Sequence, residues 1–210
     1  MSTTSPFCAG GDFACPRCAL PLPFVQQPTL CGECLSSPPD FSRVLAPWRY
    51  EFPLNAIIPR FKYRKQRYFG RALSLVMADY LKEYFFHSPE SWPDFLLHVP
   101  VDARKFWHRG FDQTHDMAMT LSRQLNIPFR TGVVFKKPNR HAQAELTRDA
   151  RLRNIQNSFH VKGGVTGARI ALVDDVMTTG TTVREIARRL KAAGAADVQV
   201  WVLARTPKRG

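Results

Sequence analysis

The sequence predicts an α/β domain built on a parallel sheet, with a small cysteine-rich module in front of it. The C-terminal third reads as strand, polar turn, helix and strand, which is the pattern of a βαβ unit. The N-terminal 34 residues hold all five cysteines, four of them in two Cys-x-x-Cys pairs. A length of 210 residues suits one domain with a small appendage, and 44% hydrophobic residues can form its core.

The cysteine pairs, Cys15-Pro-Arg-Cys18 and Cys31-Gly-Glu-Cys34, predict a structural zinc site. Each tight turn offers two thiolates, and two turns complete a tetrahedron around Zn²⁺, with Arg17 placed to offset part of the negative charge. The alternative is a set of buried free cysteines. Cys8 is left over, as a spare ligand or a free thiol. An odd number of clustered cysteines argues against a secreted disulfide scaffold.

A turn-rich Ser-Ser-Pro-Pro stretch at 36–39 predicts a domain boundary, giving a zinc module at 1–39 and an α/β domain at 40–210. Apolar spacing then predicts the next elements. They are short strands within 41–58, a helix over 70–86, a strand over 94–99 and a helix over 113–125. Residues 136–158 are polar and basic, which predicts an exposed loop followed by a short helix.

The C-terminal βαβ unit is the clearest part of the sequence. It comprises a buried strand over 169–173, a turn at 178–182, a helical face from Val183 to Leu190, and a strand over 197–203. Gly194 stands where a glycine commonly ends a helix. Because parallel strands of this kind bind ligands beyond their carboxyl ends, we expect the binding site at that edge of the sheet.

The turn of this unit has the composition of a phosphate-binding loop. Its Thr and Gly residues expose backbone N–H groups at a helix N-terminus, where anions are favoured. The preceding carboxylates, Asp174 and Asp175, suit a ligand that also carries hydroxyls or a bound cation, such as a sugar phosphate with Mg²⁺. The alternative is an ordinary strand-to-helix turn. The segment is neither a Walker A loop nor a G-x-G-x-x-G fingerprint.

The net charge of +13 favours polyanionic partners such as nucleic acid or phosphorylated ligands. Residues 60–71, here called the basic patch, hold six basic and four aromatic residues and no acid. This mixture suits single-stranded nucleic acid. The alternative is a strand and turn whose rings face the core. The sequence shows neither a long apolar run nor a secretory signal, so we expect a cytoplasmic protein without a membrane span.

Residues 170–182, Ile-Ala-Leu-Val-Asp-Asp-Val-Met-Thr-Thr-Gly-Thr-Thr, resemble the phosphoribosyl pyrophosphate (PRPP) motif of type I phosphoribosyltransferases. The wider chain resembles the ComF family of competence and DNA-utilisation proteins, which join a cysteine-rich N-terminus to such a domain. Relatives often carry a further pair of cysteine knuckles, which only Cys8 could represent here. The matching segments are 15–34, Phe61-Lys-Tyr63, Val99-Pro-Val101, Arg109-Gly-Phe-Asp-Gln113, 143–154 and the PRPP motif.

The resemblance implies a role for each part of the site. Asp174 and Asp175 would contact the ribose hydroxyls. Residues 99–105 would form the pyrophosphate loop, and 140–153 would be a hood loop over the ligand, or alternatively a solvated basic loop. The 5′-phosphate would be held by Thr178, Thr179, Gly180, Thr181 and Thr182, and the pyrophosphate, with Mg²⁺, by Val101, Arg104 and Lys105.

Two functions follow from this resemblance. The first is PRPP-dependent transfer of a phosphoribosyl group to an unidentified nitrogen acceptor. The second is a nucleic-acid-handling role in DNA uptake or utilisation, with single-stranded DNA as partner, in a protein that keeps the fold without transferase activity. The intact acidic pair and phosphate loop favour ligand binding in either case. Neither the acceptor nor the oligomeric state is predicted by the sequence.

Overall fold

The computed structural model of the chain describes residues 13–22, 27–63, 66–137 and 158–208. Its strands are β1 (Phe13–Ala14), β2 (Pro21–Leu22), β3 (Arg43–Leu45), β4 (Trp48–Arg49), β5 (Phe95–His98), β6 (Val134–Lys136), β7 (Phe159–Val161), β8 (Arg169–Met177) and β9 (Asp197–Arg205). Its helices are α1 (Gly32–Ser36), α2 (Leu54–Tyr63), α3 (Arg67–His87), α4 (Ala103–Arg109), α5 (Gln113–Leu125) and α6 (Thr181–Ala192).

A parallel sheet of five strands organises the domain. Strand β8 lies at its centre, between β5 and β9, and both β3 and β4 pair with the far edge of β9. Every pairing in this sheet is parallel, so the carboxyl ends of β5, β8 and β9 meet at one edge. Two antiparallel pairs, β1 with β2 and β6 with β7, lie outside it.

The sheet is buried on both faces. Because successive side chains of a strand point to opposite sides, β8 sends Ile170 and Leu172 to one face and Ala171 and Val173 to the other. The first face packs against α6 and the cysteines, and the second against α2, α3 and α5. Burial on both sides explains why β8 reads as a continuous apolar run.

Most elements agree with the sequence prediction. The helix over 113–125 is found at the predicted bounds, and the C-terminal strand–helix–strand unit is present with parallel strands. The helix predicted to start at residue 70 begins instead at Arg67. The region 41–58 holds the two predicted short strands, but its last part starts helix α2, because Leu54, Ile58 and Phe61 share a buried helical face.

Most described residues of the basic patch are helical, so the alternative of a strand and turn there was wrong. Its described residues belong to the end of α2 and the start of α3, and its rings are divided between core and solvent. Phe61 is buried, whereas Tyr63 and Tyr68 are exposed. Arg64 and Lys65 of the patch lie outside the described residues.

The cysteine-rich segment packs directly on the sheet domain. The four paired cysteines lie in the same hydrophobic core as Phe41, Leu172 and Val200. Arg17 donates a hydrogen bond to the Ser42 carbonyl across the predicted boundary at 36–39. In the described part of the chain, no helix is long and apolar enough to cross a membrane.

Candidate active site

The acidic pair lies at the carboxyl end of the central strand. The sequence prediction placed Asp174 and Asp175 in a loop after residue 173, but β8 continues through both residues to Met177. The continuation arises because Asp174 still pairs with Val202 of β9, and Met177 with Arg205. The two carboxylates are therefore fixed by a sheet rather than by a loop.

Asp175 is held by two side chains from other elements. Lys62 of α2 donates to its Oδ1 at 2.8 Å, and Gln113 of α5 donates to its Oδ2 at 3.1 Å. The residue is only 5% exposed. Asp112 fixes the start of α5 by accepting from the backbone N–H groups of Thr114 and His115, which places Gln113 beside the carboxylate. Asp175 is thus an oriented anion with both oxygens partnered.

Asp174 has a different environment. Its Oδ1 accepts a hydrogen bond from the Asp175 backbone N–H at 2.8 Å. Burial, and then repulsion from the Asp175 carboxylate, raises its pKa to about 8. A buried carboxylate next to a second one is disfavoured as an anion, so a cation or a hydroxyl donor placed beside Asp174 would relieve it.

The predicted phosphate loop forms a turn into α6. Thr178 and Thr179 are exposed, Gly180 is the N-cap, and Thr181 and Thr182 start the helix. Gly180 has a backbone φ of +78°, which residues other than glycine rarely adopt. The first backbone N–H groups of a helix have no acceptor within it, so this turn presents donors to an anion.

The predicted pyrophosphate segment follows β5 at the same sheet edge. Val99 donates its backbone N–H to the carbonyl of Val173, immediately before the acidic pair. Val101 is half-buried, and Lys136 forms a 3.2 Å ion pair with Asp102. Arg104 and Lys105 belong to helix α4 rather than to a loop. The structure thus brings the segment 99–102 beside the acidic pair.

The four paired cysteines form one compact cluster. Their sulfur atoms all lie within 4.8 Å of one another, and all four residues are buried. The Sγ atoms of Cys18 and Cys31 are 3.6 Å apart, close to the separation of about 3.8 Å that tetrahedral Zn–S bonds of ~2.3 Å require. A hydrogen bond from the Cys18 thiol lowers the pKa of Cys15 to about 4, while burial raises that of Cys34 to about 12. The donor set can hold a metal such as zinc.

Two arginines join this cluster to the phosphate loop. Arg205, 4% exposed at the end of β9, donates from Nε to the Cys18 carbonyl at 3.1 Å and from Nη1 to the carbonyls of Met177 and Thr178. Arg184, in the first turn of α6, donates to the Ser37 carbonyl and lies 3.9 Å from Cys34 Sγ. Arg184 therefore brings a second guanidinium group, besides the predicted Arg17, to the cysteine cluster.

Three further sequence predictions lie outside the described residues. They are the hood segment 140–153, the matching segment 143–154 and the role of Cys8.

Comparison with known proteins assigns the family. The sequence model described as "Phosphoribosyl transferase domain" matches residues 116–210. DNA utilization protein YhgH of Escherichia coli (strain K12) is 35% identical over 192 residues, covering 91% of this chain and 84% of that protein. The chain belongs to the ComF family. Competence protein F of Haemophilus influenzae is 33% identical over 198 residues, covering 91% of this chain and 84% of its own, which confirms the resemblance seen in the motifs.

Solved structures are less similar to this ComF protein. Purine phosphoribosyltransferase from Pyrococcus horikoshii Ot3 has a TM-score of 0.40 and 19% identity, covering 66% of this chain and 84% of that one. The allosteric regulatory enzyme of purine biosynthesis has a TM-score of 0.42 and 23% identity, covering 63% of this chain and 25% of that one. The family assignment therefore rests on the sequence relatives.

Sequence reasoning missed the partners that complete the site of this ComF protein. Lys62 stood within the basic patch and Gln113 within a family-matching segment, but neither had been linked to Asp175. The sequence held one indication for Arg205, because it is a charged residue that directly follows the mostly apolar run 198–204. Contacts between residues far apart in the chain set these roles, and spacing along the sequence does not reveal them.

Proposed function

We propose that this protein binds PRPP with Mg²⁺ at the carboxyl end of β8 and transfers the phosphoribosyl group to a nitrogen nucleophile. The observation that carries this proposal is the direct succession of an acidic pair, a turn with a left-handed glycine and a helix N-terminus. Carboxylates suit ribose hydroxyls, and the turn suits the 5′-phosphate at Thr178, Thr179, Gly180, Thr181 and Thr182. Membership of the ComF family and the matching phosphoribosyl transferase domain support it.

The two carboxylates have unequal roles in this proposal. Asp174 contacts a ribose hydroxyl, because it is only half-buried and its hydrogen bond among the described residues is the one from the Asp175 backbone N–H. Asp175, already bonded to Lys62 and Gln113, provides a fixed negative charge close to the sugar. In the transfer, the bond from C1 to the pyrophosphate oxygen breaks as a bond to the acceptor nitrogen forms, and the nitrogen loses its proton. The fixed charge of the Asp175 carboxylate favours the positive charge that develops on the ribose.

The leaving pyrophosphate needs positive charge around it. We assign this role to the segment after β5, which contains Val101 and continues to Arg104 and Lys105 in the first turn of α4. Carboxylate oxygens are the ligands that Mg²⁺ prefers, and Asp174 offers one beside the proposed ribose position. When bound, Mg²⁺ would neutralise charge on the departing pyrophosphate. The hood segment 140–153 would exclude water during transfer.

The metal of the cysteine cluster is proposed to be zinc with a structural role. Four protein thiolates fill its coordination sphere, which leaves no position for substrate. We assign the cluster to a module at 1–39 and the transferase site to a domain at 40–210. A cytoplasmic location fits this proposal, because a reducing compartment keeps cysteines available as thiolates.

Pyrophosphate release tests the transferase. The protein is incubated with PRPP, Mg²⁺ and candidate nitrogen bases, and pyrophosphate is measured over time for the wild type and Asp174→Asn. We expect release that depends on one class of base and falls at least tenfold in the variant. PRPP binding without release with any base would reduce the proposal to a PRPP-binding protein.

Nucleic-acid handling is the second candidate function. It is supported by the names of the relatives, a DNA utilization protein and a competence protein, and by the basic patch. The structure divides the patch, since Arg67 is paired with Asp116 at 2.6 Å, while Arg60 and Arg71 are exposed. An arginine in an ion pair has less charge available for phosphate, so Arg60 and Arg71 are the stronger candidates for strand contacts.

The salt dependence of binding to single-stranded DNA tests this candidate. Each phosphate contact that is lost should flatten the log–log salt slope by about 0.7. We expect Arg60→Ala with Arg71→Ala, and likewise Arg64→Ala, Lys65→Ala and Arg67→Ala together, to weaken binding and flatten the slope. An unchanged slope would assign these charges to ordinary surface solvation.

A further inference from the structure

A cavity of about 460 Å³ lies between the N-terminal half of α3 and the length of α5, next to the end of α2. Its volume falls within the range of small-ligand pockets in proteins. Gln113 connects the cavity to the acidic pair, because it lines the cavity and donates to the Asp175 carboxylate. The transferase site proposed above does not use this space, although Arg71 on its rim also belongs to the basic patch.

The floor of the cavity is aromatic and apolar. Phe61 and Phe111, with ring centroids 6.5 Å apart, lie beside the buried Met117. Gly70 allows this arrangement, because a Cβ atom at position 70 would lie 2.8 Å from the Phe61 ring. A flat, apolar group such as an aromatic ring is the shape that such a floor accommodates.

The rim of the cavity is cationic. Arg67 lies over the Phe111 ring, with Cζ 5.4 Å from the ring centroid, and is paired with Asp116. Arg71 and Arg123 also line the cavity and are exposed. Within the described ranges, neither forms an ion pair with an acidic residue. Two such guanidinium groups beside an aromatic floor favour a ligand that joins a ring to an anion.

A buried oxygen of Gln113 also favours a ligand in this cavity. Gln113 is 4% exposed, and its Nε2 is used by Asp175. Its Oε1 has no hydrogen-bond partner among the described residues. A buried carbonyl oxygen without a partner is unfavourable, so a ligand that supplies an N–H group would be stabilised there.

We propose that this cavity is a binding pocket for one nucleotide, with the base on the Phe61–Phe111 floor and the phosphate between Arg71 and Arg123. The base donates an N–H group to Gln113 Oε1. The nucleotide is either free or a unit of a single strand, since both present the same ring and phosphate. This proposal does not depend on PRPP binding at the acidic pair.

Calorimetric titration with dTMP, thymidine, inorganic phosphate and the oligonucleotide (dT)12 tests the pocket in the full-length protein. We expect thymidine and phosphate each to bind at least tenfold more weakly than dTMP, because each has only half of the recognised chemistry. If the pocket binds a nucleotide only as part of a strand, (dT)12 should bind and dTMP should not. The variants described next should then reduce the affinity for (dT)12.

Three variants assign the binding to the cavity. Arg71→Ala with Arg123→Ala should reduce affinity at least tenfold, and Leu75→Trp, which fills the cavity without a change of charge, should also reduce it. The control pair, Lys82→Ala with Arg188→Ala, removes the same charge away from the cavity and should leave affinity within twofold. Thermal unfolding verifies that each variant is folded. Absence of binding for both dTMP and (dT)12 at millimolar concentration, equal losses in the control pair, or full affinity in Leu75→Trp would overturn the proposal.

Discussion

At the scale of single residues, the site depends on two neighbouring carboxylates with unequal partners. Asp175 has a lysine and a glutamine amide on its oxygens, whereas Asp174 has one backbone N–H and a negative neighbour. Burial, and then repulsion from the Asp175 carboxylate, raises the pKa of Asp174 from 3.8 to about 8. A strongly shifted pKa of this kind is typical of residues in binding and catalytic sites.

The raised pKa predicts how stability changes with pH. The folded protein retains a proton on Asp174 that the unfolded chain releases near pH 4, so the free energy of unfolding should fall as pH rises from about 4 to about 8. Asp174→Asn should flatten this slope, because an amide does not titrate. Urea denaturation of both proteins across this pH range measures it, with the exposed Asp79→Asn as control. Equal slopes in the wild type and Asp174→Asn would contradict the assignment.

Gly180 offers a second prediction at this scale. An alanine there would adopt an unfavourable positive φ, at a cost of about 1–2 kcal/mol, and its Cβ would lie 2.3 Å from Met177 Cε. Gly164 has nearly the same φ, +77°, with no neighbouring atom within 4 Å. We expect Gly164→Ala to show the backbone strain alone and Gly180→Ala to lose PRPP affinity as well. PRPP affinity reduced equally in both variants would show that the turn at Gly180 has no special role.

At the scale of elements, the phosphate loop is supported by the cysteine cluster through Arg205. Its guanidinium bonds to the carbonyls of Cys18, Met177 and Thr178 in a buried position. Arg205→Met would leave the Cys18 and Thr178 carbonyls without this donor, while the Met177 carbonyl still accepts from the Thr206 backbone N–H. An unsatisfied buried group costs ~1–3 kcal/mol. We expect a marked fall in melting temperature and weaker PRPP binding. Lys82→Met, a control at an exposed position, should change stability by less than about 0.5 kcal/mol.

The same link predicts a response to metal. Metal analysis should find one zinc ion per chain, and Cys31→Ser should lose it. Because Arg205 and Arg184 connect the cluster to both sides of the phosphate loop, removal of the metal should reduce PRPP affinity. In Arg205→Met the further loss on metal removal should be smaller, since the two changes act through one connection. Full PRPP affinity in metal-free wild-type protein would show that the cluster and loop are independent.

At the scale of the whole molecule, local patterns predicted the elements and the edge of the sheet that carries the site. The 3.6-residue spacing of α5 and the apolar runs of β8 and β9 were sufficient for their positions. The end of β8 was missed because two acidic residues resemble a loop, although ladder pairing with β9 extends the strand. The contacts of Lys62 and Arg205 arise from tertiary packing, which a local pattern does not contain.

The central claim is that the acidic pair and the turn after it form a PRPP site. Calorimetric titration of the zinc-loaded protein with PRPP and Mg²⁺, compared with Asp174→Asn, tests it most directly. A lost charge-assisted contact of ~1.5–3 kcal/mol predicts roughly tenfold to hundredfold weaker binding in the variant, which should remain folded. Saturable binding by the wild type with that loss would agree with the account. No heat of binding at millimolar PRPP, or equal affinity in the two proteins, would contradict it.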